Sequence, residues 1–182
     1  AMVSTAGLTG RQLLDYANDC IEQDHVDQAI KLYTTFLEQN PSSSMAFEAK
    51  SKLGWCFYLN QRFDPAEKLY REVIEKGTPK DEWVGESRWY LIILTAGPRN
   101  KATDAIKLCE IQARDFTGKF KGEQALFTRA WLYWVQQKWA EARAAFDDLI
   151  LVYPEKARQP PIQGYIEDCV RGLQAKAKGN AP

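Results

Sequence analysis

Leu53-Gly54-Trp55-Cys56-Phe57-Tyr58-Leu59-Asn60-Gln61-Arg62-Phe63-Asp64-Pro65-Ala66-Glu67-Lys68-Leu69-Tyr70 decides the fold. Phe63, Ala66 and Tyr70 are three and four residues apart, which places them on one helical face. Gly54 and Phe57 play the same part on a preceding helix, across a short polar turn. Two antiparallel helices cross closely only where one side chain is tiny, so Gly54 is expected to face Ala66, with Phe57 and Tyr70 filling the remaining gap. Asp64-Pro65-Ala66-Glu67 reads as a helix start, with Asp64 as the cap and Pro65 at the first helical position.

The same stamp recurs along the chain. Ala29, Ala66, Ala105 and Ala142 follow one another at 37, 39 and 37 residues. Val26, Phe63, Ala102 and Trp139 come three before these alanines, and Tyr33, Tyr70, Cys109 and Phe146 come four after. Twelve residues back stand Ala17, Gly54, Ile93 and Ala130, and nine back stand Cys20, Phe57, Ala96 and Tyr133. A fixed period of this size means stacked supersecondary units. The third unit is the weakest, because Ile93 replaces a small residue and Gly97-Pro98 interrupts the turn.

Leu53-Gly54-x-x-Phe57 with Phe63-x-x-Ala66-x-x-x-Tyr70 resembles the tetratricopeptide repeat (TPR). Tyr16-Ala17-x-x-Cys20 with Ala29, Tyr33 and Pro41 fits the same pattern, as does Ala130-x-x-Tyr133 with Trp139, Ala142, Phe146 and Pro154. The resemblance implies an all-α, right-handed TPR-like superhelix of about four helix-turn-helix repeats plus a C-terminal capping helix. One domain is expected over residues 8–176, with repeats at about 10–43, 46–80, 81–119 and 122–157 and the cap over 162–176. Residues 1–7 and 177–182 are expected to be flexible or cloning-derived ends. These repeats exceed the usual ~34 residues, and the extra length falls after each second helix, as in Asn40-Pro41-Ser42-Ser43-Ser44. In this they are similar to bacterial envelope TPR proteins of the BamD and YbgF types. That similarity implies a periplasmic or envelope location, with the cytoplasm as the alternative.

The ends of the array have their own signals. Thr9 and Gln12 read as a reciprocal cap, with Leu8 packing on Leu13. After Pro160-Pro161, Ile162, Tyr165, Ile166, Cys169, Val170 and Leu173 share one face of a helix that closes the last repeat.

Composition excludes several functions. With 24 basic and 24 acidic side chains, no overall field draws the chain to nucleic acid or to acidic lipid. No apolar run approaches the ~20 residues of a membrane span. Cys20, Cys56, Cys109 and Cys169 are scattered among apolar neighbours and read as buried packing thiols. The only histidine, His25, is in a turn, and no metal-ligand or catalytic-triad spacing occurs. No enzyme, metal or cofactor is expected.

A protein or peptide partner is expected instead. In the TPR family the first helix of each pair lines the concave face. One stripe projected through those helices selects Trp55, Tyr58, Tyr90, Leu94, Phe127, Trp131 and Trp134 as a partner-binding surface, with Lys50, Arg62, Arg88 and Arg129 as flanking charge. The alternative for Trp131 and Trp134 is packing against neighbouring helices or the cap. Of the residues with which chaperone-binding TPR proteins hold a terminal carboxylate, only Asn18 matches, beside a misplaced Lys52. The expected role is a protein-interaction adaptor. The alternative is a structural segment of a longer solenoid or a self-associating subunit.

Overall fold

The computed structural model describes residues 7–179. Among these the elements run α1 (Gly10–Glu22), α2 (Val26–Gln39), α3 (Ala46–Leu59), α4 (Phe63–Lys76), α5 (Glu82–Ala96), α6 (Ala102–Asp115), α7 (Phe120–Val135), α8 (Trp139–Val152), a short 3-10 turn (Pro154–Arg158) and α9 (Pro160–Ala177), with no strand. The fold is all-α and TPR-like. The expectation for residues 1–6 and 180–182 lies outside the described residues. Ala177, expected in the tail, still belongs to α9.

Each helix pair is joined by a turn that carries one left-handed residue. Asp24, Gln61, Asn100 and Gln137 have φ of 61°, 56°, 51° and 56°, and each lies five residues before its repeat alanine. The main chain closes three of these turns identically: His25 N–H donates to Cys20 C=O, Arg62 to Phe57, and Lys138 to Tyr133. In the third repeat Lys101 N–H reaches one residue further back, to Thr95 C=O. Gly97-Pro98 is thus absorbed within the turn.

This turn also sets where α4 starts. The helix begins at Phe63, directly after Arg62, and no side chain caps it. Asp64 is therefore inside the first turn and is not the cap expected from sequence. Pro65 is tolerated there because the first amides of a helix have no intrahelical acceptor. By contrast, α1 carries the expected reciprocal cap. Gln12 N–H donates to Thr9 Oγ1 at 3.3 Å, and Thr9 N–H to Gln12 Oε1 at 2.8 Å.

By contacts the chain divides into two compact units, Ala1–Leu94 and Thr95–Pro182. In the first, Leu13, Leu14, Ala17, Leu32, Tyr33, Phe36, Ala49, Leu53 and Cys56 form a buried cluster. Gly54 and Ala66 are both buried, but the atoms nearest the missing Cβ of Gly54 all belong to Tyr70. The glycine thus makes room for the Tyr70 ring, one turn beyond the alanine, the bulkiest group at the crossing.

In the second unit, Leu126, Ala130, Ala142, Phe146, Leu149, Ile162 and Cys169 form the main cluster. Ile162 and Cys169 of α9 are buried in it, whereas Val170 and Leu173 at the far end of that helix are exposed. Gly172 lets α9 lie on Trp139, whose indole a Cβ would meet at 2.5 Å. All four cysteines are free and buried. Burial pushes the Cys56 and Cys109 thiols up to about 12. No described helix is long and apolar enough to cross a membrane.

Candidate partner-binding face

In the first unit the first helices of successive repeats bring three aromatic rings together. Trp55 and Tyr58 are three apart on α3, on neighbouring turns of one face, and their rings stack at 5.1 Å with planes 9° apart. Tyr90 of α5 stacks on the same indole at 4.9 Å and 21°. Phe63 meets Tyr58 edge-on at 5.7 Å, and Tyr70 tilts against Tyr90 at 5.5 Å. Trp55, Tyr58 and Tyr90 are all half-buried. Burial first, then the neighbouring Glu86 carboxylate, to which the phenol donates, pushes the Tyr90 hydroxyl up.

Polar groups continue this surface. Lys52, three residues before Trp55, has its ammonium over the Trp83 ring at 5.6 Å. It donates to Asn18 Oδ1 at 2.7 Å and is 3.6 Å from Glu48. Tyr33 also donates to Asn18 Oδ1, at 2.6 Å, and Arg11 reaches Glu48 at 3.5 Å. Asn18 and Lys52 are thus adjacent, but each already serves a partner within the fold, and Glu48 balances the charge.

Other residues of the projected stripe lie elsewhere. Leu94 is fully buried, which removes it from any surface a partner can reach. In the second unit Phe127 and Trp134 pack edge-on against Tyr165 of α9, at 6.0 and 5.0 Å. Tyr165 in turn stacks on Phe146 at 5.5 Å and 6°. Phe127 and Trp134 thus hold the capping helix. The Trp134 indole nitrogen is buried without a partner. Trp131, one turn earlier, is 37% exposed.

The projected flanking charges are engaged in the fold. Lys50 pairs with Glu72 of α4 at 2.7 Å, and Arg129 with Asp148 of α8. Arg62 stacks over Phe57 at 4.5 Å. Arg88 is only 4% exposed. Lys50 and Arg129 turn toward the second helix of their own repeat because their carboxylate partners are there. Trp83 was missed by the sequence projection. Its position seven residues before Tyr90, two helical turns away, is the signal that places it on the same face.

Tetratricopeptide repeat models match residues 14–82 and 124–156, together more than half of the chain. No curated protein matches. Among solved structures, the fold is similar to nearly identical TPR-like repeats assigned to a Podosopora anserina kinesin light chain (TM-score 0.67, 15% identity, 92% of this chain and 87% of that one). It is also similar to BtubC (BKLC) from P. vanneervenii (TM-score 0.68, 14% identity, 94% and 81%). A third likeness is to the MamA protein (TM-score 0.61, 16% identity, 93% and 94%). At such identities these likenesses speak for the fold alone.

Proposed function

Because the chain is a tetratricopeptide repeat protein, a family of generally non-catalytic protein-interaction scaffolds, we propose that it holds a segment of a partner protein on the aromatic face of its first unit. The observation that carries this reading is the half-buried stack of Trp55 with Tyr58 and Tyr90. Trp and Tyr dominate the energetics of protein interfaces because they offer large area and a polar tip at low entropic cost. In the second unit Trp131 and Val135, exposed and one turn apart on α7, offer a smaller contact. Phe127 and Trp134 have a structural role in this reading. The assembly served belongs to the cell envelope, as the long repeats suggest, and fractionation of native cells tests that placement.

Tyr58→Ala and Trp131→Ala separate the two surfaces. Each variant is expected to keep the helical circular dichroism. Tyr58→Ala is expected to abolish recovery of the partner that the wild-type chain captures from native lysate. Undiminished capture by Tyr58→Ala would refute the first-unit face. A second reading, self-association, is favoured by Leu151, 80% exposed at the end of α8. Sedimentation across a concentration series tests it, and a concentration-independent monomer would dismiss it.

A further inference from the structure

We infer that the aromatic strip of the first unit takes a proline-rich segment in the polyproline II conformation, an inference that rests on the docking face proposed above. The stacking of Tyr58 and Tyr90 on the Trp55 indole commits much of its π surface to the protein itself, so an incoming chain meets ring edges and polar tips. Those tips are donors. Among the described residues, the Trp55 and Trp83 indole N–H groups and the Tyr58 hydroxyl donate to no protein acceptor, and none of the three is buried away from solvent. An indole N–H can only donate.

Nearby acceptors are already in use. Glu48 takes Arg11 and Lys52, and Glu86 receives the Tyr90 phenol. The strip therefore offers free donors beside acceptors that already serve partners within the fold. A chain that complements it supplies carbonyls without amides. Proline does so, since it keeps its C=O and has no N–H. In polyproline II the carbonyls make no internal hydrogen bonds, and aromatic-lined grooves are the known way to read that conformation. An ordinary extended segment would bring one N–H per residue and leave those amides short of acceptors on this surface. A strongly acidic or basic segment would find the charges of Lys52 and Glu48 already balanced.

Titration of the full chain with decaproline, followed by the isotope-labelled indole N–H resonances, tests this. The resonances of Trp55 and Trp83, assigned by their loss in Trp55→Phe and Trp83→Phe, are expected to shift saturably while that of Trp134 stays fixed. Trp55→Phe keeps a ring in the stack but removes the donor, and is expected to weaken binding about tenfold, the scale of one well-made hydrogen bond. No saturable shift with decaproline, or unchanged affinity in the Trp55→Phe/Tyr58→Phe double variant, would overturn the inference. Selection from a random displayed-peptide library separates the levels. Proline-free binders that the double variant loses would overturn the polyproline occupant and retain the docking face. If no binder were sensitive to the double variant, both would fall.

Discussion

Gly54 lies so close to Tyr70 that a Cβ on the glycine would approach Tyr70 Cε1 to 2.5 Å. The ring is fully buried and backed by Tyr90, so it has little room to retreat. Alanine in a helix interior gains about 1 kcal/mol over glycine, whereas overpacking a filled core costs about 1–3 kcal/mol. Gly54→Ala is therefore expected to destabilise the protein by up to about 2 kcal/mol. Urea denaturation checks this, and an unchanged midpoint would mean that the Tyr70 ring yields freely.

Gln61 calls for the opposite substitution. It is exposed and holds φ at 56°, a conformation that costs a residue with a Cβ about 1–2 kcal/mol. Glycine adopts it freely but loses about 0.5–1 kcal/mol in chain entropy. Gln61→Gly is expected to stabilise the fold by about 0.5–1 kcal/mol, seen as a raised melting temperature. Gln61→Val is expected to lower it.

Tyr165 joins the capping helix to three rings, those of Phe127, Trp134 and Phe146. Tyr165→Ala is expected to destabilise by about 2–4 kcal/mol, below the range for a fully buried aromatic because Tyr165 is half-exposed. Amide exchange is expected to quicken in α9 before α7. Trp134 emission should move to the red as its indole meets water.

The buried thiols predict a loss of stability in alkali. Folded Cys56 and Cys109 keep their protons to about 12, against the 9.0 of a free thiol. Below pH 9 both states are protonated and the contribution is complete. Above it the unfolded chain releases protons that the folded chain retains, so stability falls as pH rises toward 12. The slope is about 1.4 kcal/mol per pH unit for each thiol. Urea titrations between neutral pH and pH 11 read it, and Cys109→Ala is expected to make it shallower.

The repeat register was legible because the residues that carry it do so by size. Gly54, Ala66 and Tyr70 declare a close crossing whatever surrounds them. The third repeat was obscured because its turn is closed by main-chain groups, which Gly97-Pro98 does not disable. In the candidate site, Trp55, Tyr58 and Tyr90 share a stripe by helical spacing alone. The role of Phe127 could not be read that way, and Trp134 stayed open between surface and cap, since both depend on Tyr165 arriving from another helix. The charges were misplaced for a similar reason. Lys50 and Arg129 are long enough to reach carboxylates 22 and 19 residues away, beyond what a single-helix projection sees.

Asp24, Gln61, Asn100 and Gln137 are all polar acids or amides without a branch at Cβ, and all four hold a left-handed bend. Since backbone amides and carbonyls close each bend, these corners need no side-chain partner, only a residue that tolerates the left-handed region. Mutation is therefore free to exchange residues of that tolerant set, and even to slip in an extra residue, while the rods on either side keep their pairing. A lineage of such proteins is expected to diversify fastest at its corners and to keep its memory in the small residues of the crossings.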